Sequence, residues 1–366
     1  MSQKNFKHIF VITNSLMGLY KFRKEFIGTL SHNYQITILS GTDENSQYFK
    51  DLECDLVIYP FDSRKKSVFQ DLKLMNHYRR QIKLKKPAVI LTYTIKPNIY
   101  AGWMARWYKT PHIATITGLG SAFNSPLLSF ISTVLYKVAL KRSRAVFFQN
   151  KSNLDFMEKR NIVNKNSLIV PGSGVNLDEF KYLEYPKEET VNLVFIGRIM
   201  REKGIDFFLS AAKYFKKKNA LVQFHLVGSM TESKYEEEIA ALEQDDTVIY
   251  HGYLDDLSSI YQLAHAIILP SHHEGLSNVL LEAASSGRVI LASNIDGCKE
   301  TFIQDETGYG FNPHNFNDMI HTIEAFIELD LETKKRMGQR GREYVALNFN
   351  REYVVNEYMN IMKEVI

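Results

Sequence analysis

Residues 266–283 read AIILPSHHEGLSNVLLEA, and this short stretch contains most of what decides the fold. The apolar run 266–269 predicts a buried strand that ends at Pro270. From Asn278 onward the spacing of the apolar residues predicts a helix, which places Asn278 and Glu282 one turn apart on one face. A strand, a short loop and a helix in this order are typical of an α/β protein with a parallel sheet.

The same stretch holds two carboxylates, Glu274 in the loop and Glu282 in the helix, with seven residues between them. The start of the helix offers backbone N–H groups and the positive end of the helix dipole, which suit a phosphate. Ionised carboxylates beside that phosphate would accept hydrogen bonds from the vicinal hydroxyls of a sugar. Glutamates near a helix start are also commonly solvated or capping residues, so the spacing alone leaves both interpretations open.

Strand and helix patterns alternate along the whole chain and predict two doubly wound parallel sheets. The predicted strands lie near 8–13, 35–40, 56–59, 88–92, 112–116 and 145–148 in the first half, and near 191–197, 221–227, 248–251, 266–270 and 289–292 in the second. We therefore expect an α/β protein with two Rossmann-like domains, residues 1–184 and 185–350, that face a cleft. The polar, proline-containing segment 181–189 is the predicted linker.

The stretch around Glu274 resembles the Glu-x7-Glu signature of the retaining glycosyltransferases of family 4, which have the two-domain GT-B fold. Segments similar to other motifs of that family occur in the expected order: Val194–Arg198, Lys203 and Gly204, His225–Gly228, His251–Tyr253, Gly287–Ser293, Gly297, Glu300, Thr307 and Gly308. The segment Thr117–Ser121 also resembles bacterial enzymes that extend undecaprenyl-diphosphate-linked sugars. In the resembled fold, the last helix (351–366) packs back on the first domain.

The resemblance implies a site for a nucleotide-sugar donor in the second domain. Glu282 would bind the ribose hydroxyls and Glu274 the transferred sugar. Arg198 and Lys203 would stabilise the charge on the leaving diphosphate, although a solvated basic loop is the alternative. Arg198, Lys203 and Glu274 are thus the candidate catalytic residues. The other implied donor contacts are main-chain or loop positions: Gly275, Leu276, Ser277 and Asn278 for the diphosphate, Gly252, Tyr253 and Leu254 for the base, and Gly18 and Gly197 near the phosphates.

The acceptor residues that the resemblance implies are Arg23, Thr117 and Gly118 in the first domain. Many members of the family carry a histidine in the loop at 117–119 that contacts the donor sugar, and this chain has none there. An arginine in the first turn of a helix is also commonly solvated, so Arg23 has a second interpretation.

Metal ligands and targeting segments are not recognisable in the sequence. The chain has no Asp-x-Asp and no His-x3-His pair. We therefore expect no catalytic metal, and no cofactor apart from the UDP-sugar as donor substrate, because the cationic pair would replace the metal. Two distant cysteines, Cys54 and Cys298, the lack of an apolar leader and the lack of an apolar stretch of ~20 residues predict a cytoplasmic protein.

Charge is distributed very unevenly along the chain. Residues 1–180 contain 26 Lys or Arg and 12 Asp or Glu, whereas the whole chain has a net charge of only +4. The basic residues concentrate in 64–86 and at the end of the apolar segment 126–144. That segment predicts either a helix that inserts at a lipid interface or a core helix with a charged end. No nucleic-acid-binding module is recognisable, so the expected polyanionic partner is the inner face of the cell membrane.

These features together predict a retaining glycosyltransferase that moves GalNAc, GlcNAc, Gal or Glc from a UDP-sugar to a lipid-linked saccharide. Such an enzyme would act in the assembly of a bacterial surface polysaccharide or glycoprotein glycan. One alternative is a UDP-sugar 2-epimerase, which would need acid–base carboxylates in the first domain that the sequence does not clearly provide. Another alternative is a non-catalytic nucleotide-sugar-binding or membrane-scaffold protein.

Overall fold

The computed structural model describes residues 6–61, 67–119, 123, 125–163 and 166–366. The chain forms two compact units. The first unit comprises Met1–Ser173 and Tyr353–Ile366, and the second unit comprises Gly174–Glu352. The chain thus passes between the units at 173/174, whereas the sequence predicts a boundary at 184/185.

Segment 174–186 belongs to the second unit because its backbone is bound there. Tyr185 is buried, and its hydroxyl donates to the carbonyl of His265 at 2.6 Å. The fully buried Arg288 donates to the carbonyls of Leu183 and Glu184. The predicted linker is therefore attached along its first half, which its polar composition does not reveal.

The chain enters and leaves the second unit at two positions that lie next to each other. The amide of Val175 donates to the carbonyl of Phe349 at 2.8 Å, and the amide of Arg351 donates to the carbonyl of Val175 at 3.0 Å. The Arg351 guanidinium also donates to the carbonyl of Gly174. These bonds join the two ends of the second unit.

The first unit is built on a seven-stranded parallel sheet with the order β3-β2-β1-β4-β5-β6-β7. Its strands are β1 (His8–Ile12), β2 (Gln35–Ser40), β3 (Asp55–Ile58), β4 (Val89–Tyr93), β5 (His112–Ile116), β6 (Ala145–Phe148) and β7 (Ser167–Ile169). Its helices are α1 (Leu16–Ser31), α2 (Ser46–Asp51), α3 (Val68–Lys85), α4 (Gly102–Tyr108), α5 (Pro126–Leu140), α6 (Lys151–Lys159) and the C-terminal α13 (Arg351–Val365), which begins in the second unit.

Both faces of this sheet are covered, which explains why its central strands are continuously apolar. Along β1, Ile9 and Val11 pack in a cluster with α1 and α13, whereas Phe10 and Ile12 pack with α3 and α4. Tyr358 of α13 stacks on the Phe147 ring, with 4.0 Å between the ring centroids. The C-terminal helix is thus part of the core of the first unit.

The second unit is built on a six-stranded parallel sheet with the order β10-β9-β8-β11-β12-β13. Its strands are β8 (Val191–Ile196), β9 (Val222–Val227), β10 (Val248–Tyr250), β11 (Ala266–Leu269), β12 (Val289–Ser293) and β13 (Gly308–Phe311). Its helices are α7 (Ile205–Lys217), α8 (Glu236–Gln244), α9 (Ser258–Leu263), α10 (Asn278–Ser285), α11 (Phe316–Glu328) and α12 (Leu331–Asn348).

The predicted doubly wound sheets are confirmed, and each strand predicted from the sequence is present. In each sheet the strand order reverses once, between β1 and β4 in the first unit and between β8 and β11 in the second. Ligands of such folds bind outside the carboxyl ends of the strands at this reversal. Within the described residues, none of the helices combines the length and apolar composition needed to cross a bilayer.

Candidate active site

The strand reversal of the second unit brings two loops together. One loop follows β8 and carries Lys203, and the other follows β11 and carries Glu274. Gly204 has a φ of +75°, and a Cβ atom there would lie 1.9 Å from the carbonyl oxygen of Pro270. Only glycine fits this close approach, which fixes the first loop against the end of β11.

The two loops are joined by an ion pair. The Lys203 ammonium donates to Glu274 Oε1 at 2.5 Å, and the side chains are only 20% and 10% exposed. The buried Ser271 hydroxyl donates to the same oxygen at 2.8 Å. One carboxylate oxygen of Glu274 is therefore held by two donors, and the ammonium group lies at the carboxyl edge of the sheet.

A third loop, after β12, supports the loop that carries Glu274. The amide of Ser277 donates to the carbonyl of Gly297 at 2.8 Å, and the amide of Gly297 donates to Glu300 Oε2 at 2.7 Å. The expected diphosphate contact from the Ser277 amide is not supported, because that N–H group is already used inside the unit. The sequence pattern could not show this, since Gly297 lies twenty residues further on.

Helix α10 begins at Asn278 and carries Glu282, so the two residues lie one turn apart on the helix, as predicted. The hydroxyl of Tyr261 donates to Glu282 Oε2 at 3.0 Å. Tyr261 is fully buried, and burial, followed by the nearby Glu282 charge, raises its pKa well above the ordinary value. The tyrosine is thus a neutral donor that orients the carboxylate. Sequence reasoning missed Tyr261 and Ser271, because neither belongs to a recognisable motif.

Glycines line the neighbouring carboxyl edge of β8, β9 and β10. A Cβ atom at Gly228 would lie 1.8 Å from the carbonyl oxygen of Gly197, and the amide of Gly228 donates to the carbonyl of Gly252 at 2.8 Å. Among the described residues other than Gly252 and its two chain neighbours, none has an atom within 4 Å of the position that a Cβ of Gly252 would take. Main chain is therefore accessible here to a flat ring or a phosphate.

Two predicted base contacts follow Gly252. Tyr253 is half-exposed, and its hydroxyl donates to Asp255 at 2.7 Å, whereas Leu254 packs against the core of the unit. Leu254 can offer only its main chain and part of its side chain to a ligand, while the Tyr253 ring is accessible.

Arg198 differs from Lys203 in its surroundings. It follows Gly197 at the end of β8 and is exposed. No salt bridge involves Arg198 within the described part of the chain. The structure therefore fixes the Lys203 ammonium, but it leaves the Arg198 guanidinium in solvent.

The candidate residues of the first unit lie in or beside loops at its carboxyl edge. Gly18 is in the first turn of α1, and its amide donates to the Ser15 hydroxyl that caps the helix. Thr117 and Gly118 follow β5, and Thr117 is half-buried. Gly120 and Ser121 of the same motif lie outside the described residues.

Arg23 fits neither of its two expected roles, a solvated residue or a contact for the acceptor. It is only 4% exposed, and its guanidinium lies over the rings of Tyr93 and Tyr358, 5.5 and 5.4 Å from their centroids. The helix α13 supplies Tyr358, so a residue more than three hundred positions away buries this arginine. Arg23 is thus a core residue rather than a surface contact for an acceptor.

Among the described residues, no three His, Cys, Asp or Glu side chains are grouped as potential ligands.

Two parallel sheets of this design in one chain define the GT-B fold, and the similar solved structures include glycosyltransferases of that class. Anabaena HepE in complex with UDP and glucose superimposes with a TM-score of 0.80 over 98% of this chain and 100% of that chain, at 13% identity. The sucrose-phosphate synthase of Thermosynechococcus elongatus superimposes with a TM-score of 0.79 over 98% of this chain and 99% of that chain, at 18% identity.

Two glycosyltransferase families match separate parts of the chain: the glycosyl transferases of group 1 match residues 176–344, and the family "Glycosyl transferase 4-like" matches residues 19–150. The protein is a glycosyltransferase. One relative is the N,N'-diacetylbacillosaminyl-diphospho-undecaprenol alpha-1,3-N-acetylgalactosaminyltransferase of Campylobacter jejuni, which is 27% identical over 95% of this chain and 96% of the relative. Another is the capsular polysaccharide biosynthesis glycosyltransferase CapM of Staphylococcus aureus, which is 24% identical over 81% of this chain and 83% of the relative.

Proposed function

We propose that this glycosyltransferase moves GalNAc, GlcNAc, Gal or Glc from a UDP-sugar to a lipid-linked saccharide, with retention of the anomeric configuration. The process would be the assembly of a bacterial surface polysaccharide or glycoprotein glycan at the inner face of the cell membrane. The Campylobacter relative, matched over nearly its whole length, supports the lipid-linked acceptor by its name. The UDP in the Anabaena structure supports the nucleotide.

The observation that carries the proposal is the contact between Lys203 and Glu274 at the strand reversal of the second unit. The reaction breaks the bond between the anomeric carbon and the diphosphate oxygen, where negative charge develops. A fixed, partly desolvated ammonium group stabilises that charge more than a solvated one does, because it needs no reorganisation. Glu274, whose other contact is Ser271, is then available to orient the sugar hydroxyls.

Retention follows if the acceptor hydroxyl attacks on the face that the diphosphate leaves. A bond forms between the acceptor oxygen and the anomeric carbon, and the acceptor proton passes to the leaving diphosphate oxygen. No protein nucleophile is needed, and Glu274 has a positioning role. Glu282, held by Tyr261, would bind the ribose, whose contacts change little during the reaction.

Positive charge from Lys203 and the exposed Arg198 would take the place of a metal ion in this scheme. We therefore expect activity to persist in EDTA. Activity that is lost in EDTA and restored by Mg²⁺ or Mn²⁺ would contradict this part of the proposal.

The matches of residues 19–150 and 176–344 to glycosyltransferase families favour sugar transfer over the 2-epimerase alternative. The ion pair and the glycine-lined edge also fit a working donor site better than a scaffold that has lost its activity.

The test is a panel of nucleotide sugars with undecaprenyl-diphosphate-linked saccharides as acceptors, in which nucleotide release and the anomeric configuration of the product are measured. We expect acceptor-dependent release from a UDP-sugar and a product of the same configuration as the donor. The variant Lys203→Met with Glu274→Gln is the control for background hydrolysis. Transfer only from another nucleotide, or inversion, would contradict the corresponding part of the proposal.

A further inference from the structure

Helix α5 of the first unit presents an apolar row to solvent. The row consists of Leu127, Phe130, Ile131 and Val134, which are spaced as one helical face. Leu127 is 69% and Phe130 is 68% exposed, and the other two are also exposed. The opposite face of α5, with Ser132, Tyr136 and Leu140, is buried against the sheet. The helix therefore has two apolar faces, and only one of them is needed for the fold.

Basic residues follow the exposed apolar row along α5. Lys137 and Lys141 follow Val134 on the same side of α5 and are exposed, as is the neighbouring Arg142. From Phe130 to Lys141 the helix rises about 16 Å. The outer surface of α5 thus changes from apolar at its first turns to basic at its last turn.

Helix α3 repeats this arrangement. It covers the same side of the sheet as α5, with α4 between them, and the two helices run in the same direction because both lead from one parallel strand to another. The first turns of α3 expose Val68, Phe69 and Leu72, and its last turns expose cations that include Lys83. Two helices on the same side of the sheet therefore present apolar residues at its carboxyl edge and cations behind them.

Acids are almost absent from the segment that carries α3, α4 and α5. Residues 67–144 contain thirteen Lys or Arg and a single acid, Asp71. The Asp71 carboxylate pairs with Lys96 at 2.9 Å and is mostly buried. Trp107 of α4, 73% exposed, adds an amphipathic ring between the two helices.

We propose that this surface, defined by the outer faces of α3, α4 and α5, docks on an anionic lipid bilayer. The apolar row of α5 enters the headgroup region, and the cations behind it meet the negative headgroups. Charge complementarity favours a bilayer, because a row of apolar residues backed by cations on parallel helices matches a planar interface with negative charge above an apolar layer. This inference rests on the proposed function, since a lipid-linked acceptor is available only at such an interface.

The orientation suits the acceptor. Thr117 and Gly118 follow β5 at the same carboxyl edge at which the apolar turns of α3 and α5 begin. A bilayer in contact with this edge would present the head of a lipid-linked saccharide next to that loop, which is only eight residues ahead of α5 in the chain.

The experiment uses the full chain and vesicles of phosphatidylcholine, either alone or with phosphatidylglycerol in equal parts. Co-sedimentation measures the bound fraction at low and high salt. Phe130→Ser with Val134→Ser removes apolar insertion, and Lys137→Glu with Lys141→Glu reverses two charges. Leu347→Ser is the matched control, because Leu347 is 85% exposed on α12 of the second unit. Thermal unfolding checks that each variant folds.

We expect binding to the anionic vesicles that weakens with salt, and at least a tenfold loss in both surface variants but not in Leu347→Ser. Equal binding to neutral and anionic vesicles, no binding, or wild-type binding by both surface variants would overturn the inference. A monomer–dimer equilibrium that the same variants abolish, without a change in vesicle binding, would assign the surface to a second copy of the chain and would also overturn it.

Sugar transfer is measured separately with a short-chain acceptor dispersed in detergent and with the same headgroup on a long lipid in vesicles. The surface variants should keep the wild-type rate on the first and lose rate on the second. Vesicle binding without any transfer would contradict the proposed function alone, and transfer that needs no vesicle binding would contradict the docking surface alone.

Discussion

Lys203 is held in a partly buried position by Glu274. Its ammonium group has already lost part of its water shell and lies in one place. In the proposed reaction, a substrate phosphate would meet an oriented charge, because the lysine side chain is already ordered in the folded unit.

Replacing Lys203 by Met tests this role. We expect turnover to fall by about 10²- to 10³-fold, because about 2.7–4 kcal/mol of stabilisation of the leaving group is lost. Lys213→Met is the control, since Lys213 forms an exposed ion pair with Glu238 in the same unit. Steady-state kinetics and thermal unfolding of both variants are the measurements. Near-normal turnover of Lys203→Met would show that this lysine does not stabilise the leaving group.

Glu282 and Tyr261 should act on nucleotide binding. Glu282→Gln should raise the dissociation constant of UDP by roughly tenfold or more, because one charge-assisted hydrogen bond contributes about 1.5–3 kcal/mol. Tyr261→Phe should raise it less, since the carboxylate remains and only its orientation is released. Calorimetric titration with UDP gives both values, and turnover at saturating donor should change little. A large loss of turnover with unchanged UDP affinity would reverse the roles.

Residues in the loops show what a sequence can and cannot predict. The motif predicted that Glu274 and Lys203 belong to one site, and the structure brings them into contact. The same motif says nothing of Tyr261 or Ser271, because those side chains reach the carboxylates through the fold rather than through spacing. Arg23 was misjudged because its partners, Tyr93 and Tyr358, come from distant parts of the chain.

At the scale of elements, most of the strands that were predicted are apolar runs of four to six residues. The strands β7 and β13 were not predicted. The first has only three residues, and the second, Gly308–Phe311, contains two glycines in four positions and lacks a β-branched residue. The sequence also left open whether α5 is a core helix or a helix at a lipid interface. An apolar helix can be buried on one face or on both, and the elements packed around it determine which.

The loop between β8 and α7 depends on Gly204. Gly204→Ala should destabilise the second unit by about 2–3 kcal/mol, because the methyl group would meet the Pro270 carbonyl and the backbone would be strained. Gly341→Ala is the control: Gly341 lies in α12, where a Cβ atom would make ordinary contacts, and the change should stabilise by about 0.5–1 kcal/mol. Urea unfolding followed by circular dichroism measures both. Equal stabilities would contradict the close packing of this loop.

At the scale of the whole molecule, both tryptophans, Trp103 and Trp107, lie in the first unit. Tryptophan fluorescence therefore reports on the first unit alone, and circular dichroism or hydrogen exchange is needed for the second. The two units can thus be followed separately in one unfolding experiment.

Acid should destabilise the second unit through its buried histidines. Burial lowers the pKa of His225 and of His265 to about 4, from an ordinary value of 6.5. The unfolded chain then binds protons that the folded unit does not, so stability is fully present above pH 6.5 and is lost as the pH falls toward 4. Each histidine accounts for at most about 3 kcal/mol.

His225→Gln should therefore make the stability of the second unit less dependent on pH. Its side chain can still form a hydrogen bond near Asn192, the partner of His225 at 3.2 Å. Hydrogen exchange of second-unit peptides at pH 7 and pH 5 is the measurement. An unchanged pH dependence would show that this histidine does not control acid sensitivity.

The uneven distribution of charge is another property of the whole molecule. The basic residues concentrate in the first 180 positions, and the remainder of the chain is acidic. The sequence alone could show this asymmetry, but not that the cations and an exposed apolar row share one side of a sheet.

The two ends of the second unit are hydrogen-bonded to each other, so the unit can be exchanged as one segment. Because Val175 is hydrogen-bonded to both Phe349 and Arg351, residues 174–352 begin and end at one point. If residues 174–352 were removed, the two chain ends left on the first unit would lie next to each other rather than far apart. Recombination could therefore exchange the second unit for that of another protein while the first unit, including its C-terminal helix, keeps its core. A graft of the corresponding segment from a relative with a different donor sugar would need only two adjacent junctions.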